Sequence, residues 1–209
     1  NFCEIEYAQY IALANKKRQE VPTTRADFYA SNLAYSITSY CKGAVFASQL
    51  KYIIGKDKFE KTLKEFYKNF ALKHPTPDDF IRCAEKVSGL ELKWILNEFM
   101  QTTHTVDYAI EKVEPKGNQT QVTIKRIGRT PMPLDLVVIP QTVKLFCFYI
   151  PSDLMFGEKE NPFKNIERFS LKPWGWAYPT YTFTIDLPIS DIKSISIDPQ
   201  GFTADVNYQ

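Results

Sequence analysis

Val106-Asp107-Tyr108-Ala109-Ile110 and Gln121-Val122-Thr123-Ile124-Lys125 mark the place where this chain changes its period. In both stretches apolar and polar residues alternate, the pattern of a strand with one buried face. Lys116-Gly117-Asn118 lies between them as a turn signal. Toward the C-terminus, Leu134 to Ile139 and Val143 to Ile150 form richer apolar runs separated by Pro140-Gln141, and Tyr181 to Ile185 and Ile192 to Ile197 close the set. Short strands bounded by Pro, Gly and Asp predict an antiparallel β-sandwich of about 100 residues. Trp174, Trp176 and Tyr178 share one parity and Tyr181, Phe183 and Ile185 the other. Side chains alternate faces along a strand, so a bulge or corner is expected across Pro179-Thr180.

Toward the N-terminus the period becomes helical. Phe59, Leu63, Phe66, Tyr67 and Phe70 fall on one face of an amphipathic helix, with Glu60 and Lys64 as an i,i+4 pair on its wet side. Gly55 is placed to end the helix before it in a left-handed conformation. Thr76-Pro77-Asp78-Asp79 supplies an N-cap hydroxyl, a proline at the first helical position and acids in the first turn. That helix stops at Ser88-Gly89, and Leu92, Ile95, Leu96 and Phe99 define one more. The expected fold is therefore α+β with two domains: a helical domain over 1–104 and a β-sandwich over 105–209. The chain begins inside a helical pattern without Met or a signal sequence, so a start in mid-protein is expected.

Composition excludes several classes. Hydrophobic residues at 44% and charged residues at 24% are the balance of a globular protein. The net charge of +2, with bases interspersed among acids, is no nucleic-acid footprint. No apolar run reaches the roughly 20 residues of a membrane span. Cys3, Cys41, Cys83 and Cys147 are scattered without a C-x-x-C, which reads as free thiols rather than a metal site. His74 and His104 stand apart, each at an element boundary, and neither is read as a ligand.

Tyr40-Cys41-Lys42-Gly43-Ala44 resembles the Y-x-K-G-A motif of the M1 family of zinc aminopeptidases, the gluzincins. His74-Pro75-Thr76-Pro77-Asp78-Asp79-Phe80 is similar to that family's H-P-T-P-x-D-F helix start, and Trp94 through Thr103 to the stretch closing its catalytic domain. Arg126-Ile127-Gly128 and Pro131-Met132-Pro133-Leu134 resemble strands of the small β domain that follows. Phe156 to Pro162, Ile197-Asp198-Pro199 and Ala204 to Asn207 resemble a bacterial branch. The resemblance implies a zinc-dependent hydrolase of peptide N-termini, extracytoplasmic by the habit of that branch. It gives Tyr40 the catalytic role of donating to the oxyanion of the tetrahedral intermediate. Gly43, Ala44, Ala47 and Ser48 offer a small-residue surface beside it.

The family's H-E-x-x-H, its third glutamate ligand and its G-x-M-E-N segment are absent; 39 residues precede Tyr40 and none is His. No metal ligand is therefore carried over, and zinc is expected in the intact enzyme with ligands upstream of this chain. The chain alone is expected to be inactive and to self-associate through apolar surface that the missing helices would cover. Peptides are the expected substrates of the intact enzyme. The alternative is a non-catalytic scaffold or binding protein that keeps the fold without the metal site. A sugar-binding module using Trp174, Trp176 and Tyr178 is a third, weaker reading, since sheet packing explains those rings with less. Asn118-Gln119-Thr120 and Lys16-Lys17-Arg18 are explained by a turn and a solvated helix end.

Overall fold

The computed structural model describes residues 4–142, 144–163 and 165–207. Cys3, and Val143 at the expected start of a strand, lie outside them. Helix α1 spans Glu4–Asn15. A short helix α2 (Asn32–Ser36) runs through a π-helical segment, Ile37–Cys41, directly into α3 (Lys42–Ile54). Helices α4 (Lys56–Phe70), α5 (Pro77–Ser88) and α6 (Lys93–Gln101) complete the helical half.

The helix ends follow local chemistry. Thr76 caps α5: its hydroxyl accepts from Asp79 N–H and the Asp79 carboxylate accepts from Thr76 N–H, with Pro77 at the first position. The chain leaves α5 through Gly89 in the left-handed region, φ 75°. Gly55 also has positive φ, 84°, but its ψ of 157° takes the chain into α4 without a left-handed helical residue. Hydrogen bonds from Thr76 hold the Asp79 carboxyl below its ordinary value. A depressed folded pKa contributes stability that is complete above the unfolded value near 4 and is lost as pH falls through the lower folded value. Thr76→Ala, which removes the N-cap hydroxyl, should lose about 1 kcal/mol near neutrality. The difference from wild type should shrink in acid, which denaturant melts at pH 7 and pH 3 would measure; a constant difference contradicts the carboxylate's part.

Part of the predicted stripe on α4 stays wet. Leu63 and Tyr67 are exposed, while Phe66 packs edge-on against Phe80 of α5 with ring centroids 5.2 Å apart. Glu60 pairs back with Lys56 at 3.8 Å rather than forward with Lys64.

Strands β1 (Tyr108–Lys116) and β2 (Gln119–Arg126) form the expected hairpin, turned by Gly117 at φ 63° and Asn118. They continue into β3 (Leu134–Pro140), β4 (Phe146–Ile150), β5 (Glu167–Ser170), β6 (Thr180–Ile185) and β7 (Ile192–Ile197). One sheet has the order β1-β2-β6, the other β5-β4-β3-β7. Phe148 of β4 meets Phe183 of β6 at 5.1 Å across the space between the sheets. The second sheet is mixed rather than wholly antiparallel. β5, a four-residue edge strand that has no signal in the sequence, pairs parallel with β4 after the long connection 151–166.

The corner expected at Pro179-Thr180 is a turn preceding β6. Trp174 is buried against Tyr108 and Tyr181, whereas Trp176 and Tyr178 are exposed, so the three do not share one strand face.

Gln101 ends the last helix and Tyr108 opens the first strand on either side of residue 104. A continuous core nevertheless runs across that point, from Leu50, Ile53, Ile95 and Phe99 through Val106 to Leu134 and Val138. Gln49, fully buried on α3, donates to Phe202 O at 2.9 Å and accepts from Ala204 N at 3.1 Å, joining the helix to the C-terminal segment. Gly128 makes the closest approach at the junction. A Cβ there would stand 2.2 Å from Thr105 O and 2.7 Å from Asp107 N, both backbone atoms that cannot swing aside. Gly128→Ala is expected to cost about 1–3 kcal/mol, read as a lower urea midpoint at unchanged slope; an unchanged midpoint would show the junction can open.

Candidate functional site

Tyr40 lies in the π-helical segment. Its last turn is closed by Lys42 N–H on Ile37 O, an i→i+5 bond. Such single π turns inside α-helices recur at functional positions. The inserted residue shifts the helical register, so side chains five apart come into line. Tyr35 and Tyr40 accordingly pack edge to face at 6.1 Å, and Tyr29 stands 5.3 Å from Tyr35. A hydrogen bond to Tyr40 raises the Tyr35 hydroxyl above its ordinary value. Tyr40 itself is 66% exposed. Its ring is steadied on one side by Tyr35, and its hydroxyl shares a hydrogen bond with the Tyr35 hydroxyl.

The opposite face of the same helix is tied down. Ala34, Thr38, Cys41, Lys42, Val45 and Phe46 are all buried. Cys41 donates its thiol to Gln9 Oε1 of α1 at 3.0 Å, and burial pushes that thiol up. Lys42 is 1% exposed and donates to Thr102 O, just past α6, at 2.7 Å. Burial lowers its ammonium to about 8, opposed by the field of Glu98. Around Thr102 the hydroxyl donates to Glu98 O at 2.6 Å, and His104 Nδ1 meets Glu98 Oε2 at 2.8 Å. His104 is thus a junction residue and His74 is exposed between α4 and α5.

The described residues hold no group of three His, Cys, Asp or Glu side chains placed to bind a metal ion. They do not fit the zinc of the gluzincins, and nothing below is derived through a metal. Cys41 and Cys147 are buried free thiols and Cys83 is half-buried. Two surface concavities, of about 460 and 440 Å³, lie in the β half and between α1 and the C-terminal segment; Tyr40 lines neither. No helix among the described residues is long and apolar enough to cross a membrane.

A second polar centre went unread in the sequence. Asp135 of β3 accepts from buried Lys159 and from Tyr52 at 2.9 Å, and the Lys159 ammonium lies 4.0 Å from the Tyr52 ring centroid. Tyr52 belongs to α3, so the cluster fastens the far end of the helix bearing Tyr40 to the second sheet. Burial lowers the Lys159 ammonium and Asp135 opposes that shift. The available signal was one carboxylate inside the apolar run Leu134 to Ile139, which implies a buried partner.

Residues 8–99, which contain all of the π-helical segment, match the peptidase family M1 domain. Over this helical part the chain is similar to peptidase family M1. Among solved structures, aminopeptidase A of Legionella pneumophila in complex with aspartic acid matches with a TM-score of 0.52 and 16% identity. The match covers 90% of this chain and 20% of that one, so the chain spans about a fifth of the length of the aminopeptidase. At that identity the likeness speaks for the fold alone. No curated protein matches the chain.

Proposed function

We propose that this chain is part of a zinc-dependent M1 aminopeptidase and that Tyr40 is its oxyanion donor. The carrying observation is the placement of Tyr40 on a π turn, with its hydroxyl outward and the helix behind it anchored. A phenol held this way can donate to a carbonyl oxygen as negative charge develops there, without reorganising when the reaction occurs. In this reading the metal's ligands and the groups that bind the free amine of the peptide belong to the remainder of the enzyme. The β half is a spacer domain beginning near residue 105, and the exposed Ile5, Phe28 and Leu33 face that remainder. The isolated chain hydrolyses nothing.

The test is made on the intact protein: zinc content and hydrolysis of peptides with a free N-terminus. An intact protein without either is a scaffold that keeps the fold, and the enzymatic reading fails. Zinc with activity supports it, and Tyr40→Phe then tests the residue.

A further inference from the structure

Lys42 is a buried lysine whose ammonium donates to a backbone carbonyl, Thr102 O, with no carboxylate among the described residues within ion-pair distance. Burying an ammonium costs several kcal/mol unless it is compensated, and such groups persist where their position matters. Its place on the helix explains what is positioned. Residues two apart on a helix point about 200° from one another, so Lys42 faces inward where Tyr40 faces outward. Lys42 also supplies the N–H that closes the π turn on Ile37 O. The same residue therefore anchors the turn from its backbone and from its side chain. Thr102 is held in turn: its hydroxyl donates to Glu98 O, and His104 N–H donates to that hydroxyl at 3.0 Å. Thr130 Oγ1 reaches Glu98 Oε2 at 3.4 Å from the β half.

We propose that Lys42 is a positioning residue for Tyr40, its ammonium bracing the π turn against the C-terminal end of α6 so that the phenol hydroxyl stands where an oxyanion forms. This rests on the reading of Tyr40 given above. Lysine at a helix C-terminus can also serve the carbonyls alone, as part of the cap. The two roles differ in what they couple to. A cap changes stability whatever stands at residue 40, whereas a brace changes the rate only while Tyr40 has a hydroxyl to aim.

The experiment is a double-mutant cycle on the intact zinc-loaded peptidase, with activity expressed per folded molecule. Lys42→Met should lower kcat about 10- to 100-fold, the scale of an ångström of misplacement, with KM little changed. Lys42→Arg, which keeps charge and reach, should recover part of that loss. In the Tyr40→Phe background, Lys42→Met should have almost no further effect on kcat. Lys42→Gln retains a buried donor too short to reach Thr102 O and serves as the second variant should Met not fold. An equal loss in both backgrounds, or no loss in either, overturns the brace. Full activity of the Tyr40→Phe single variant overturns the reading of Tyr40 itself and the brace with it, and is recognised without any Lys42 variant.

Discussion

On the function proposed above, Tyr40→Phe in the intact protein is expected to lower kcat by about 100- to 1000-fold, the usual effect of removing one oxyanion donor. The phenyl ring of the variant keeps the edge-to-face packing on Tyr35 at 6.1 Å and the inward anchors on the other face of the helix. What disappears is one hydroxyl on an exposed residue, with its hydrogen bond to the Tyr35 hydroxyl, so stability should move little. KM should change little, because the bond to the oxyanion exists in the transition state and not in the bound ground state. Steady-state kinetics on a peptide with a free N-terminus, with zinc content and melting temperature measured on the same samples, separate these effects. A variant with wild-type kcat removes Tyr40 from the chemistry while leaving the similarity of residues 8–99 to the M1 domain intact. A variant that loses zinc or unfolds would place the tyrosine among structural residues.

Lys159→Met should destabilise the fold by about 3–5 kcal/mol, the range for breaking a buried ion pair by removing one partner. Both side chains of the Lys159–Asp135 pair are 1% exposed. The second carboxylate oxygen of Asp135 is buried and has no hydrogen-bond partner among the described residues, so the carboxylate is already short of donors when the ammonium is removed. Tyr52 remains as a donor at 2.9 Å and softens the loss without cancelling a charge. The ammonium also lies over the Tyr52 ring, so its removal leaves a site shaped for a cation. Pairing the change with Asp135→Leu should recover most of the stability, since an apolar pair of similar size avoids burying charge altogether. Urea melts of the two single variants and the double variant complete the cycle. If Lys159→Met alone is as stable as wild type, the pair is not holding α3 to the second sheet. If the double variant is no better than the single, the penalty is a packing defect and not an unpaired charge.

The features that were legible in the sequence share one property: the residues that make them are neighbours. The capping box at Thr76 and Asp79, the helix stop at Ser88-Gly89 and the hairpin turn at Gly117-Asn118 are closed within four residues. The alternation of Val122 and Ile124 announced a strand with one buried face, and both are buried. The motif drew attention to Tyr40, while its π-helical setting had no signal in the sequence. A π turn is one residue added to a helix that otherwise looks continuous, and no composition at 37–41 distinguishes it. Lys42 reads as an ordinary solvated lysine until Thr102, 60 positions later, is found beside it.

Where the structure departs from expectation, the cause is pairing at a distance. β5 is four residues long and becomes a strand because β4 offers it an edge. Leu63 and Tyr67 stay exposed because no described element packs over that part of the α4 stripe, though their spacing is correct for a core. The isolated acid in β3 acquired its meaning from Lys159 and Tyr52, one on a later loop and the other on an earlier helix.

By itself, the sequence determined the change from helical to strand period near residue 104, the helix caps and the resemblance that singles out Tyr40. Each of these rests on local dihedral preferences and on periodicity, which a linear chain displays directly. Tertiary structure alone decided that Tyr40 faces outward, that Lys42 is buried behind it, and that Asp135 and Lys159 neutralise one another within the fold. Burial and charge compensation depend on which distant segments meet, and local chain geometry leaves that choice open.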